Sequence, residues 1–326
     1  MPIINVLIFF VINSIIVSMI ALRSYDISEK YNFLDYPSKG KIHSSPIPFI
    51  GGIIIYILLL GCFSLNFFVN LNINLYLFFY LSAFFILGFI DDRFDLNSNY
   101  KILSVILISL ILIYFDESFL IHKIFFEISN NEFYFGHFKI PITIICILLL
   151  YIALNMSDGI NCLLISFTII ALIIVNIFVL KRDLGFMDIS LLSSLGTLLY
   201  FNYRNKIFLG NTGANLLSAY FIYILINKNY HDYIDVFEVI SVFFIIGLDM
   251  VRLIFTRLFN KSNPFKRDLN HLHHLLYKKF DLKITIVIYL IMSFLPLILH
   301  YLTNTTLVFF MPFQILIYSI IIYKLK

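Results

Sequence analysis

The sequence predicts an all-α integral membrane protein, one polytopic domain over residues 1–326 folded as a bundle of about 11 transmembrane helices. Three observations predict it. Of the 326 residues, 61% are hydrophobic and 13% charged, where a soluble domain carries about 25% charged residues. The apolar residues are continuous, in runs near the roughly 20 residues that a membrane span needs. Lys and Arg are divided unevenly between alternate loops, which gives the bundle a sidedness.

The candidate spans are 2–22, 48–65, 71–90, 101–115, 141–156, 163–180, 187–202, 212–227, 236–256, 284–303 and 306–323. The first has no basic residue before it and no small-residue cleavage site, so it reads as a retained span rather than a cleaved signal. Between the fourth and fifth, "NNEFYFGHFKI" alternates apolar and polar residues around Asn-Asn and Gly136, which predicts a small external hairpin near 130–140. Loops 23–47, 91–101, 157–162, 203–211, 257–283 and the tail from 324 hold seventeen Lys and Arg; loops 116–140, 181–186 and 228–235 hold five. The richer side is therefore expected to be cytoplasmic, with the N-terminus outside and the C-terminus cytoplasmic. Arg252 falls inside the ninth span.

Other classes are disfavoured. A net charge of only +4 gives no reason to expect a nucleic-acid partner. Cys62, Cys146 and Cys162 lie in or beside apolar runs and form no CxxC pair, so they read as small membrane-embedded thiols.

The unusual polar stretches fall on the basic side, in five separate loops: "KGKIHSSPIPFIGG" (39–52), "GFIDDRFDL" (88–96), "LNMSDGIN" (154–161), "KIFLGNTGAN" (206–215) and "NPFKRDLNHLHHLL" (263–276). In the second, a continuing helix would put Asp91 and Asp95 on one face, with Asp92 about 100° away. Acids at a helix C-terminus are disfavoured by the macrodipole. Only Arg93 is near in sequence to compensate, so either this is a solvated helix end or a divalent cation relieves the repulsion. Mg²⁺ takes carboxylate oxygens together with substrate phosphates.

In the third loop, Asn155 and Asp158 either close an Asx-type turn or face a common pocket with a polar ligand or metal. In the fourth, Gly210 and Gly213 either let exposed N–H groups at a helix start approach a phosphate, or pack two helices closely. In the fifth, His271, His273 and His274 follow Lys266, Arg267 and Asp268. Zinc is the alternative there, but no HExxH or nearby cysteine supports it. Phosphate binding or proton transfer suits a basic loop better, a solvated loop being the bland reading. Acids for Mg²⁺, a Gly turn and a Lys/Arg/His loop at one membrane surface suit phosphoryl transfer between a soluble diphosphate and a lipid.

These residues resemble the polyprenyl-phosphate N-acetylhexosamine-1-phosphate transferases (glycosyltransferase family 4 type). The pieces are "HSSPIPFIGG", "DDRFDL", "NMSDGIN", "FLGNTGA" and "DMVRLIFTRLFNKSNPFKRDLNHLHHLL". The last is the most specific and, with Asp95, resembles the undecaprenyl-phosphate GlcNAc-1-phosphate transferase branch. The resemblance implies ten or eleven membrane helices with a cytoplasmic active site in a bacterial inner membrane. It implies undecaprenyl phosphate and a UDP-N-acetylhexosamine as substrates, Mg²⁺ (or Mn²⁺) as cofactor, and often a homodimer.

It further implies that Asp91 and Asp92 are the acidic pair, for the metal or for activating the lipid phosphate, and that Asp158 is catalytic with them. Asn155, Asn211 and Asp92 would be on the metal side. Lys41, His43, Asp95, Asn155, Asn161, Arg252, Arg267, His271, His273 and His274 would bind substrate. The chain departs from the family pattern at five positions. Asn211 and Asn161 stand where Asp is usual, Cys162 where Gly is usual, Phe49 where a basic residue is common, and Ala214 where Ser follows the glycine. An impaired relative with a binding role is therefore the rival reading, along with another lipid-phosphate transferase. An ion-coupled transporter is disfavoured because the charges sit at one surface rather than at mid-depth.

Overall fold

The computed structural model describes residues 3–37, 44–69, 71, 73–265 and 268–325. Among the described residues the regular structure is helical, apart from two short antiparallel pairs. α1 (Ile3–Leu22) bends by 56° into α2 (Ser24–Tyr31). The strands β1 (Leu34–Asp35) and β2 (Ile47–Pro48) then pair, Leu34 opposite Pro48. α3 (Gly51–Val69), α4 (Leu75–Phe94) and α5 (Ser98–Phe115) follow. The hairpin β3 (Lys123–Phe126) and β4 (Asn131–Tyr134) precedes α6 (Lys139–Ser157), α7 (Leu163–Ile174) and α8 (Phe186–Tyr203). The chain ends with α9 (Gly210–His231), α10 (Val236–Phe259), α11 (Leu272–Lys279), α12 (Leu282–Thr303) and α13 (Leu307–Leu325).

Each of the eleven apolar stretches coincides with a helix. Seven of these helices are long and apolar enough to cross a membrane by length and composition, or eight if the bent pair α1–α2 counts as one span. The other three do not reach that standard. α7 is short and ends in a π-helical turn over Val175–Val179. α8 and α9 carry many polar residues, among them Asp188, Ser190, Ser193, Asn211, Asn215 and Asn227. Length and composition alone therefore support seven or eight spans, in a multi-pass membrane protein.

The outer surface is apolar, with Leu7, Phe68, Phe79, Leu107, Leu149, Ile291 and Leu316 all exposed. That surface suits lipid rather than water.

Short-range signals set the helix ends. Asn74 and Asn97 cap α4 and α5 through their side chains, and Asp281 caps α12. The β3–β4 hairpin is held by Lys123 against Glu132 at 2.8 Å and lies beside the start of α10, where Glu127 N–H donates to Asp235. At that same end Asn74 meets Asp116, and Ser118 meets Asn227. The described parts of the polar loops singled out in the sequence lie at the other end of the bundle.

Candidate functional site

Three glycines bring the first half of the site together. A Cβ on Gly52 would lie 2.2 Å from the backbone N of Gly213, and one on Gly88 would lie 2.5 Å from the Cα of Thr212. α3 and α4 therefore touch the first turn of α9 backbone to backbone. The segment before α9 runs along β2 and the start of α3: Phe208 N–H donates to Pro48, and Gly51 and Gly52 donate to Phe208 and Leu209. Gly210 has φ +75°, and a Cβ there would meet the Asp92 carboxylate at 2.9 Å. Only glycine meets both demands without strain. Of the two readings of this Gly motif, close packing describes what Gly213 does.

That packing sets the state of the acids. Asp92 accepts from Asn211 N–H at 2.7 Å, Thr212 N–H at 2.9 Å and the Thr212 hydroxyl at 2.5 Å. The open amides at the start of α9, which one of the two readings gave to a phosphate, hold the Asp92 carboxylate instead, where the helix dipole favours it. Asp91 is 3% exposed and pairs with Lys101 Nζ at 2.7 Å, while its other oxygen accepts from Leu96 N–H.

Arg93, the expected compensator, turns away. It donates to Tyr31 O and lies over the Phe33 ring at 4.4 Å. The repulsion is thus relieved by Lys101 and by α9. Asp95 is in the left-handed region at φ 46° and ends the helix, so it does not share a helical face with Asp91 and is exposed.

α6 links this half to the second. Tyr151 packs edge-on against Phe84 of α4. One turn on, Asn155 gives its Nδ2–H to Tyr151 O, which leaves its Oδ1 free of that bond. Asp158 is exposed just past the helix end. Asn161 pairs with Asn205, and Cys162 N–H donates to Asn202 Oδ1 at 2.6 Å. Cys162 has φ 65°, a conformation that suits the glycine usual at this position. Burial raises its thiol pKa to about 11, so it is an inert thiol.

The second half joins α10, α11 and α13. A Cβ on Gly159 would lie 2.1 Å from His273 Nε2 and 2.8 Å from His274 Nε2, so the turn after α6 rests on the histidines. The rings of His271 and His273 stack at 5.2 Å, and those of His273 and His274 lie at 4.4 Å. His273 is fully buried with neither ring nitrogen partnered. Burial, then the neighbouring His274 and His271, lower its pKa well below the usual range. Burial and His271 lower that of His274 to about 4. Both rings are therefore neutral near pH 7.

Beneath them lies Asp249, 3% exposed, which binds Arg252 Nη2 at 2.8 Å and His271 Nδ1 at 3.0 Å. Arg257 pairs with Asp268 at 2.9 Å and donates to Pro264 O. Burial raises the Asp268 pKa, but the bonds from Asn270 N–H and Arg257 outweigh it and bring the net value down. A polar cavity of about 310 Å³ opens among Arg252, Thr256, Arg257, Asn260, Asp268 and Asn270.

Asp249, His271 and His273 each place one donor atom within 4.8 Å of the others. Arg252, Tyr318 and the Leu272 amide already face that carboxylate, and a metal would have to compete with all three. The zinc alternative is thus no stronger here than in the sequence.

The expected residues thus form two groups at one end of the bundle: Asp91, Asp92 and Asn211 in one, Arg252, His271, His273 and His274 in the other. Asn155, Asp158 and Asn161 lie on the turn that follows α6. Asp95 stands apart. Lys41, His43 and Arg267 lie outside the described residues. Sequence reasoning missed Lys101, Asp249, Arg257 and Tyr318. Asp249 was within reach: a carboxylate three residues before an arginine in an apolar span should be its partner.

The family model for glycosyl transferase family 4 matches residues 74–229. A probable undecaprenyl-phosphate N-acetylglucosaminyl 1-phosphate transferase of Bacillus subtilis is 26% identical over 283 residues, covering 83% of this chain and 77% of its own. An undecaprenyl-phosphate alpha-N-acetylglucosaminyl 1-phosphate transferase of Escherichia coli K12 is 25% identical over 264 residues (77% and 71% of the two chains). The protein of that same name from Thermotoga maritima is 27% identical over 257 residues (77% and 75%). The family match and these relatives together support the assignment of this chain to glycosyl transferase family 4.

Proposed function

We propose that the chain transfers a sugar 1-phosphate, as N-acetylhexosamine 1-phosphate, from a UDP-sugar to undecaprenyl phosphate. The reaction would take place at the cytoplasmic face of a bacterial inner membrane and start a cell-envelope polysaccharide. An oxygen of the lipid phosphate attacks the β-phosphorus of the UDP-sugar. The new P–O bond forms as the bridge to the α-phosphorus breaks, and UMP leaves with the bridging oxygen. The observation that carries this reading is the meeting of the acidic pair, the turn after α6 and the histidine helix at one end of an apolar bundle. The names of the relatives point the same way.

The residues present fit a Mg²⁺ ion that arrives with a diphosphate. Asp92 uses three of its roughly four lone-pair sites on α9, which leaves one. The Asn211 side chain and Asn155 Oδ1 are neutral oxygen donors, and Asp158 is an exposed carboxylate. One or two carboxylates plus substrate phosphates is the usual Mg²⁺ arrangement. When bound, Mg²⁺ or Mn²⁺ polarises the diphosphate and offsets its charge. The chain's own groups do the remaining work. Lys101 and the α9 amides hold Asp91 and Asp92 in place. The histidine cluster and the Arg252–Arg257 cavity offer polar contacts for the donor.

One observation favours an impaired relative instead. Asp91 and Asp92 are both held by the fold, and Asn161 is tied to Asn205. The two readings separate in one assay. The purified protein in detergent, given undecaprenyl phosphate, Mg²⁺ and a panel of UDP-sugars, is expected to release UMP with a UDP-N-acetylhexosamine. No UMP with any donor would leave the impaired reading standing.

A further inference from the structure

Asp249 is the most heavily bonded carboxylate of the second half. Its donors come from three parts of the chain. Arg252 Nη2 on its own helix reaches Oδ1 at 2.8 Å, and Tyr318 Oη on α13 reaches the same oxygen at 2.7 Å. The amide of Leu272, at the start of α11, spans both oxygens at 3.1 and 3.2 Å. His271 Nδ1 meets Oδ2 at 3.0 Å. Arg252 also donates through Nε to the Tyr318 oxygen and through Nη2 to Asn270 O. With both oxygens bonded from several directions, the carboxylate is held against rotation.

An ionised carboxylate only accepts, so the proton of this bond belongs to His271 Nδ1, and Nε2 is left as the ring's acceptor. His271 is also the residue that caps α11, and the Leu272 amide ties its backbone to the same carboxylate. Ring and backbone are therefore oriented from one point. His273 stacks on His271, His274 meets it edge-on, and both bear on Gly159, so the orientation passes to the turn that carries Asp158.

We propose that Asp249 is a positioning residue. It fixes the His271 ring as the Nδ1–H form with Nε2 toward the substrate, and Arg252 and Tyr318 lock it in place. The inference rests on the transferase reading for its kinetic consequence but not for its structural one. The charged and titratable groups facing His271 are Asp249, Arg252, His273, His274 and Asp268.

Two measurements test it. The first is the ¹⁵N spectrum of His271, selectively assigned, in the full chain in detergent at a pH where the ring is neutral. The expected result is protonated Nδ1 and unprotonated Nε2, with the Nε2–H tautomer appearing in Asp249→Asn. An Nε2–H ring in the wild type, or no change in the variant, overturns the proposal whatever the enzyme does.

The second is kinetic. Asp249→Asn is expected to lower kcat about 100-fold, with KM changed by less than about threefold. In a His271→Asn background the same substitution is expected to cost less than about twofold. Equal losses in the two backgrounds would make Asp249 merely structural. If Asp249→Asn does not fold, Tyr318→Phe removes one neutral donor without unpairing a charge. It should show a smaller kcat loss that likewise vanishes in the His271→Asn background; a loss that persists there overturns the proposal. Wild-type protein that releases no UMP would refute the transferase reading, while the ¹⁵N result would still decide the positioning one.

Discussion

Where α4 meets α9, every acid has partners brought from another helix: Lys101 for Asp91, and the amides of Asn211 and Thr212 for Asp92. Where α10 meets α11, the groups are equally buried but incompletely bonded. Asp249 is saturated, yet His273 keeps two unpartnered ring nitrogens and Arg252 an unpartnered Nη1. Unpaired buried polar groups cost roughly 1–3 kcal/mol each. The first half is thus built as part of the fold, and the second keeps bonding capacity in reserve. That contrast suggests a division of work, with a rigid acid platform on one side and a substrate-reading surface on the other.

The contrast can be broken at its most strongly bonded point. Lys101→Met leaves Asp91 buried without a partner and is expected to cost about 3–5 kcal/mol. Denaturant unfolding in detergent would measure it, and a loss below about 1 kcal/mol would mean that the pair is exchangeable with solvent. Next comes the glycine contact beneath Asp92. Gly52→Ala drives a methyl group into the Gly213 backbone and is expected to cost about 3 kcal/mol. Gly61→Ala is the control, because nothing lies within 4 Å of a Cβ there. It should be neutral or stabilising by up to about 1 kcal/mol.

The histidine half should respond to pH. His273 and His274 both titrate below the ordinary 6.5, His274 at about 4. Above pH 6.5 neither the folded nor the unfolded chain protonates them, and their contribution to stability is complete. As pH falls from 6.5 toward 4, the unfolded chain takes up protons that the folded chain refuses, so stability drops. Thermal unfolding across that range checks the sign, and a His273→Phe/His274→Gln double variant should flatten the profile. The smallest effect sharpens the metal side. Asn211→Asp adds a carboxylate beside Asp92 and is expected to lower the Mg²⁺ concentration for half-maximal turnover by about threefold or more. A large loss of activity on that change would count against Asn211 as a metal-side group.

The helices were legible because composition and run length decide them, and all eleven apolar stretches emerge as helices; the hairpin expected near 130–140 lies instead at 123–134, because residues from Gly136 onward turn into a 3₁₀ turn and the start of α6. The two-residue pair β1–β2 has too little sequence to leave a signal. At the site, residue types were legible and partners were not. Arg93 looked like the counterion because it is adjacent, but the true partners lie ten residues away at Lys101 and more than a hundred away in α9. The Gly210–Gly213 turn stayed open between a phosphate site and close packing because nothing local showed that Asp92 would occupy its amides. Cys162 is the converse case, an odd residue in the sequence that the structure finds in a glycine-like conformation.

The central claim is that a phosphate moves together with the sugar. It is tested most directly by giving the purified protein undecaprenyl phosphate, Mg²⁺ and UDP-N-acetylglucosamine or UDP-N-acetylgalactosamine, labelled with ³²P in either the α- or the β-phosphate. The account predicts that β-label passes into the organic-extractable lipid while α-label stays in water as UMP. Neither label in the lipid with any UDP-sugar, or a lipid that gains the sugar with both labels left in UDP, would contradict it.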